Sequence, residues 1–177
     1  MKTGTYTLAA LKAIQDNGIY AGKTTVQKLL YFGLPADERR VFYKPYHYGP
    51  YSEAVQSAFG SLAHNGFIAR QRTGQYRLVK GEENIDRRQD DPVVRRLREA
   101  ASFLADKERT GTQSISILAK VHLLKQGKDL SGAELEDFIR QRGQYFGWTE
   151  LGQEVLNADQ LQTYIGLADE LETALTS

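Results

Sequence analysis

The sequence predicts a mainly α-helical protein with a small β-sheet. Apolar residues recur every three or four positions in several segments, which is the helical period. Short runs typical of strands, bounded by glycine and proline turns, occur only between residues 41 and 80. The chain has 177 residues, of which 41% are hydrophobic and 25% are charged, so it is expected to fold as one large or two small domains.

Residues 1–80 contain three helical patterns and then a hairpin. The predicted helices cover residues 6–16, 24–32 and 53–64, and the predicted hairpin has strands at 67–73 and 75–80. Thr24 and Gln27 stand at the positions of a capping box, and Ser52 is a good N-cap. A short aromatic strand over residues 41–48 is expected as a third member of the hairpin's sheet. This order of elements is that of a winged helix-turn-helix domain, which is predicted for residues 1–80.

The remainder of the chain is predicted to be helical. Residues 81–91 are almost entirely polar and are expected to form a linker. Asp91 and Pro92 then form a helix start, an N-cap followed by proline at the first helical position. Residues 92–177 are expected to form an all-helical C-terminal domain of four or five helices, one of them a short helix over roughly 148–157.

Charge is distributed unevenly between the two parts. Residues 1–80 contain eleven lysines and arginines and four acidic residues, a formal charge of +7, whereas residues 81–177 contain twelve and eighteen, a charge of −6. This asymmetry suggests one surface for a polyanion and another for a different partner. Chance clustering in a chain of this size is the alternative explanation.

Several classes of protein are excluded or disfavoured. The absence of cysteine removes disulfides and thiolate chemistry, and no run of about 18 apolar residues is present to span a membrane. The first residues lack the pattern of a signal peptide, so a cytoplasmic location is expected. Gly22-Lys23-Thr24 lacks the spacing of a phosphate-binding loop and is interpreted as a turn into a capped helix.

No catalytic constellation or cofactor site is found. The three histidines, His47, His64 and His122, lie in different segments without ligand spacing, so no metal site is predicted; His64 and His122 are expected at a helix surface or in the core. Pairs of acidic residues lie in or beside the polar linker, where nothing raises a carboxyl pKa for acid–base work. An enzyme is therefore not expected.

The positive signal is a basic hairpin next to a helix able to enter a groove of DNA. Groups expected to contact phosphate are Lys23, Lys28, Lys44, Arg70, Arg72 and Arg77, and Gln56 and Ser57 are expected to contact base edges. The exposed face of this third helix carries no arginine or lysine. The alternative is therefore a winged helix that serves as a protein-binding module. The expected partners are duplex DNA under the first hypothesis and a protein such as a toxin under the second. A second copy of the chain, joined through the helical domain, is also expected as a partner.

Aromatic residues of the segment 42–51 suit a protein-binding surface. Alternation along a strand nevertheless favours burial of Phe42, Tyr46 and Tyr48.

Three strings, residues 25–32, 42–52 and 62–68, together resemble the YwgA-like bacterial and archaeal proteins, distant relatives of the SocA-like, or Panacea, antitoxin domain. The matching positions are 27–31 (QKLLY), 48–50 (YGP) and 66–68 (GFI). Residues from 115 onward are similar to the helical tail of that family, more loosely. The resemblance implies a winged-helix protein without known catalysis. In the antitoxin branch, members neutralise a toxin by direct contact, sometimes as adaptors that deliver it to a protease.

Overall fold

The computed structural model describes residues 2–177. They are mainly helical with little β-structure, as the sequence predicts, and the strands form two separate antiparallel hairpins. The helices are α1 (Thr3–Asp16), α2 (Lys23–Gly33), α3 (Ala36–Phe42), α4 (Glu53–His64), α5 (Glu82–Asp86), α6 (Pro92–Asp106), α7 (Thr112–Lys125), α8 (Gly132–Tyr145) and α9 (Ala158–Thr176). The strands are β1 (Lys44–Tyr46), β2 (Gly49–Tyr51), β3 (Ile68–Arg70) and β4 (Tyr76–Leu78).

The first half of the chain is built around α1, α2 and α4. The apolar stripe of α1, formed by Leu8, Leu11 and Ile14, is buried, and α1 packs against both other helices. Helix α4 begins where expected, because the Ser52 hydroxyl accepts a hydrogen bond from the backbone N–H of Val55. The predicted hairpin β3–β4 is also present and packs against α1.

The prediction of one strand over residues 41–48 in a three-stranded sheet is wrong. Helix α3 reaches Phe42, and β1 pairs with β2 in a hairpin of its own, with Pro45 opposite Pro50. Neither proline can donate a backbone hydrogen bond, and Gly49, at φ +100°, takes the left-handed conformation as the chain turns back. The segment therefore closes on itself instead of joining β3–β4.

Residues 82–86, inside the predicted polar linker, form the short helix α5. Its Ile85 is buried, and α5 lies against α1, where Lys12 Nζ is 3.0 Å from Glu82 Oε1. One apolar side chain thus anchors a segment of polar composition. A continuous hydrophobic core joins the regions before and after it.

The C-terminal helices surround α7, which packs against α2, α8 and α9. The predicted start of α6 is confirmed, because the Asp91 carboxylate accepts a hydrogen bond from the backbone N–H of Val93 at 2.9 Å and Pro92 is the first helical residue. The short helix expected over roughly 148–157 is confirmed only in part: it is the 3₁₀ helix Thr149–Leu151, and a turn follows in which the backbone N–H groups of Val155 and Leu156 donate to the Gly152 carbonyl. No helix within residues 2–177 has the length and apolar character needed to cross a membrane.

A buried ionic network ties α2 and α3 to α7 and α9. The His122 ring is buried, and burial lowers its pKa, which favours the neutral ring. Its Nε2 donates to the Glu172 carboxylate (2.6 Å), and its Nδ1 accepts from the Tyr31 hydroxyl (2.8 Å). The buried Arg39 guanidinium contacts the same carboxylate and donates to the Leu34 carbonyl at 2.7 Å. Of the two positions expected for His122, the helix surface or the core, the structure shows the core.

Burial opposes the charge on Glu172, but the hydrogen bond from His122 and the positive charge of Arg39 outweigh it and lower the pKa of Glu172 to about 2. Because this pKa is lower in the folded than in the unfolded state, the stabilisation from Glu172 is complete above pH 4.5 and is lost as the pH falls toward 2.

We expect Glu172→Gln to lower the free energy of unfolding at pH 7 by about 1–3 kcal/mol, because it leaves the Arg39 guanidinium buried beside a neutral amide. This range is discounted for the solvent that reaches the carboxylate. Urea unfolding between pH 7 and pH 2 should show a smaller loss of stability in the variant than in the wild type. The control is Asp169→Asn, on the same helix as Glu172. It removes the ion pair between the exposed Asp169 carboxylate and Lys125 of α7 and should cost less than about 1 kcal/mol. If the free energy of unfolding fell by the same amount between pH 7 and pH 2 in wild type and Glu172→Gln, this account would be contradicted.

Candidate nucleic-acid interface

The hairpin β3–β4, called the wing below, exposes three arginines. Arg70, Arg72 and Arg77 are all exposed, and none of them forms an ion pair or hydrogen bond through its side chain with the described residues. The strand register places Arg70 opposite Tyr76 and Ala69 opposite Arg77. Since paired residues share a face of the hairpin, Arg70 and Arg77 lie on opposite faces, with Arg72 in the turn between the strands.

Hydrogen bonds hold the wing against the segment that leads into α2. The Tyr76 backbone N–H donates to the Ala21 carbonyl (2.8 Å), and the Ala21 N–H donates to Gln75 Oε1 (3.0 Å). The Tyr20 hydroxyl donates to the Thr73 carbonyl at 3.2 Å. The wing is therefore fixed relative to the first turn of α2, where Lys23 lies.

Helix α4 completes the same surface. Its Phe59 ring packs edge-on against Tyr76 of the wing, 4.6 Å between centroids, and Lys23 Nζ lies 5.8 Å from the centre of the Phe59 ring. Lys23, α4 and the wing are thus neighbours. Sequence reasoning grouped these elements correctly, because the hairpin follows α4 after a short turn.

The charge of this surface is not neutralised locally. Residues 54–81 contain no aspartate or glutamate, while the wing and the residues after it supply Arg70, Arg72, Arg77 and Lys80. The Lys80 ammonium lies 4.7 Å from the Phe67 ring centre, and it too has no carboxylate partner among residues 2–177. A positive potential therefore extends over the wing, as needed to attract a polyanion.

The outer face of α4 consists of small or uncharged groups. Ser57, Gly60 and Ser61 are exposed, Gln56 is half-buried, and the side chains of Gln56 and Ser57 make no hydrogen bond within the described residues. His64 is exposed at the C-terminal end of the helix, as expected. Such a face permits close approach and offers donors and acceptors. It supplies no positive charge, and Glu53, exposed in the first turn of α4, is acidic.

The hairpin β1–β2 departs most from expectation. Tyr46 and Tyr48 are 54% and 67% exposed, which overturns the expectation of burial, whereas Phe42 is partly buried. Lys44 is exposed and forms no ion pair with any described residue, and the exposed His47 ring packs against Tyr46 at 4.6 Å between centroids. Alternation failed here because neither of these tyrosines lies on a sheet face that another layer covers.

Lys28 does not reach the surface, which corrects the expectation that it contacts phosphate directly. It is 2% exposed, and its Nζ donates to the Pro50 carbonyl at 2.7 Å. Burial, together with the nearby positive charge of Lys120, lowers the pKa of Lys28 to about 7. The ammonium is thus a structural group beneath β2.

Sequence reasoning missed the side chains that hold β2 in place. Gln27 does not cap α2; its amide donates to the Ser52 carbonyl (2.9 Å) and accepts from the Ser52 N–H (3.1 Å). Lys120 of α7 is fully buried, pairs with Glu150 at 2.7 Å, and would lie 3.0 Å from a Cβ at Gly49. The one available signal was Lys120 itself, a lysine inside the apolar run 115–124.

The Trp148 indole forms another unpredicted link. Its Nε1 donates to the Tyr46 carbonyl at 2.7 Å, so a residue of the C-terminal half supports β1. Within residues 2–177, no group of histidines and carboxylates is arranged to hold a metal ion.

No protein-family model matches the chain, and no curated protein matches it. The resemblance to YwgA-like proteins therefore stays a prediction based on the three sequence strings.

The lowered pKa of Lys28 generates a test of its burial. Because this pKa is about 7 in the folded chain and 10.5 as the ordinary value, the unfolded state binds more protons between these values, and the Lys28 contribution to stability rises with pH across that window. Lys28→Met removes this rise. We expect the free energy of unfolding of Lys28→Met relative to wild type to fall by about 1–3 kcal/mol between pH 7 and pH 10.

Urea unfolding of both proteins at four pH values measures this difference. The exposed Lys44→Met is the matched control, and its stability relative to wild type should stay constant over the same range. A constant difference for Lys28→Met as well would show that the Lys28 amine is solvated.

Proposed function

We propose that this chain is a non-catalytic, winged-helix nucleic-acid-binding regulator that contacts phosphates through its basic wing. The observation that carries the proposal is the set of three exposed arginines, Arg70, Arg72 and Arg77. Among residues 2–177 they have no carboxylate partner, and they lie on a hairpin fixed beside α4. Exposed arginines without acidic neighbours favour phosphate as their partner.

The other residues take distinct roles in this proposal. Helices α1, α2 and α4 correspond to the three helices of a winged helix-turn-helix, with α4 as the helix that enters the major groove. Lys23 and Lys44 add phosphate contacts, and Gln56 and Ser57 contact base edges. Because the α4 face offers no arginine to guanine, most of the affinity comes from phosphate contacts, and discrimination between sequences is modest.

The acidic half of the chain complements this arrangement. Residues 81–177 carry a formal charge of −6, so nucleic acid is repelled from the C-terminal helices and directed to the wing. In the proposal these helices serve for dimerisation or for contact with a regulatory partner.

We expect duplex DNA to bind with an affinity that falls steeply with salt, since each neutralised phosphate releases counterions. Arg70/Arg72/Arg77→Ala should weaken binding for every sequence alike and reduce the slope of log K against log salt by about 2–3, roughly one for each lost contact. Fluorescence anisotropy with a labelled mixed-sequence duplex from 25 to 300 mM salt, a range chosen to bring out that slope, measures both quantities.

Arg87/Arg95/Arg98→Ala is the matched control, because it removes the same number of exposed arginines outside the wing. It should leave the salt slope almost unchanged. Absence of duplex binding at the lowest salt, or equal losses in the two triple variants, would refute the wing as a phosphate-binding element.

A second candidate function is a protein-interaction module of antitoxin or proteolytic-adaptor type. It is favoured by the exposed apolar groups around β1–β2. Val41 is 72% exposed and lines one surface groove with Tyr46, and Tyr48 is exposed in the turn of the same hairpin. Monomeric surfaces seldom group large exposed side chains in this way unless they bind a partner, and tyrosine is enriched at interfaces.

This candidate predicts that the tagged chain recovers a stoichiometric protein from extracts of its native host, and that Tyr46→Ser/Tyr48→Ser abolishes the recovery. The triple arginine variant of the wing should retain it. Recovery that depends on the wing arginines and disappears after nuclease treatment would instead indicate a nucleic-acid bridge.

A further inference from the structure

A cavity of about 300 Å³ lies between the first turn of α2, the hairpin β1–β2 and α4. Its mouth and walls include the tyrosines Tyr46, Tyr48 and Tyr51, with Lys23, Thr24 and Gln56 among the polar groups, and Gln27 and Lys28 complete the lining. Since the cavity adjoins the base-contacting face proposed for α4, a ligand held there would be in reach of Gln56.

Aromatic rings dominate one side of the cavity. Tyr46 and Tyr51 are stacked with centroids 5.1 Å apart and planes inclined by 33°, which fixes both rings. Tyr48 lies nearby, 67% exposed, and its ring contacts no other aromatic ring among the described residues. A flat ligand that stacks on Tyr48 would cover a ring that the protein itself leaves uncovered.

Polar groups line the other side. The side chains of Thr24 and Gln56 form no hydrogen bond within residues 2–177, so both can bind a ligand. The Gln27 amide already donates to the Ser52 carbonyl and accepts from the Ser52 N–H, so it forms a rigid part of the cavity wall. The free donors and acceptors are thus an amide and a hydroxyl on neighbouring helices.

The cavity also carries excess positive charge. Lys23 is exposed, lies at the rim of the cavity and has no carboxylate partner in the part of the chain that the structure describes. Lys28 is bound by a backbone carbonyl and not by a carboxylate, and Glu150 pairs with Lys120, the next buried lysine. An anionic ligand would therefore be favoured over a neutral or cationic one.

We infer that this cavity binds a nucleotide, with its base stacked on Tyr48, the base edge hydrogen-bonded by Gln56 and Thr24, and its phosphate at Lys23. A planar ring, a hydrogen-bonding edge and an anionic group are the three ligand features that the lining matches, and a nucleotide combines them. The nucleotide has two sources with the same chemistry, an unpaired residue of a bound strand and a free mononucleotide. Only with the first source does the inference rest on the proposed nucleic-acid-binding function.

Isothermal titration calorimetry of the full chain with adenosine 5′-monophosphate, adenosine and a twelve-nucleotide mixed-sequence single strand tests the inference. The monophosphate should bind about tenfold more tightly than the nucleoside, because only it engages Lys23 with a charged group. A single strand that binds more tightly than the monophosphate identifies a nucleic-acid residue as the ligand. Binding of the monophosphate alone identifies a free nucleotide.

Substitutions of Tyr48 separate stacking from folding. Tyr48→Ala should weaken binding of the monophosphate about 5- to 100-fold, the range that follows from the loss of one base–aromatic stack. Tyr48→Phe keeps the ring and should bind as the wild type does. Tyr145→Ala removes another exposed tyrosine, 75% exposed on α8, and should have no effect.

Failure of this inference is distinguishable from failure of the proposed function. If neither the monophosphate nor the single strand binds, or if Tyr48→Ala binds both as well as wild type, the cavity is not a nucleotide site, even when duplex DNA still binds through the wing. If the monophosphate binds and duplex does not, the nucleotide site stands and the role of the wing falls. The triple arginine variant should retain monophosphate binding.

Discussion

The placement of the hairpin β1–β2, the first turn of α4 and the cavity between them depends on how residues 49–52 are held. Gln27 exchanges two hydrogen bonds with the Ser52 backbone, as a neighbouring strand would, and Lys28 donates to the Pro50 carbonyl. The Lys120 side chain packs over Gly49 so closely that a Cβ there would meet it at 3.0 Å. Because these residues end the first hairpin and begin α4, the same few contacts set the hairpin, the first turn of α4 and the cavity between them.

This arrangement makes the two halves of the chain interdependent. Lys120 belongs to α7, yet it lies beneath a hairpin of the N-terminal half, and its counterion Glu150 comes from the turn after α8. Lys120 is paired by a carboxylate of its own half, whereas the buried Lys28 has only the Pro50 carbonyl as its hydrogen-bond partner and the charge of Lys120 nearby. Trp148, 5.6 Å from the Lys120 ammonium, provides an aromatic face for that charge and also hydrogen-bonds to β1. The acidic half thus helps to shape the basic surface.

Local signals predicted α1, α4, α6 and the wing, because the Ser52 and Asp91 caps and the Gly74 corner act over a few residues. Helix α3 was missed, since seven residues are too few to show a period. The exposed arginines of the wing were identified from composition. Lys28 was misplaced because its acceptor lies 22 residues away, and no local pattern distinguishes a lysine directed inward from one directed outward. The roles of Gln27 and Lys120 are long-range for the same reason.

The placement of Arg70 and Arg77 on opposite faces of β3–β4 constrains how such a hairpin meets a duplex. A ribbon laid flat on the backbone would engage one of these arginines and leave the other in solvent. Both arginines would contact phosphate only if the hairpin entered a groove edge-on, between the two sugar–phosphate backbones that border it. If the chain binds duplex DNA as proposed, two arginines that diverge from one hairpin would reach the phosphates on both sides of the minor groove, which is about 6 Å wide. The preferred binding position along a duplex would then depend more on groove width than on base identity.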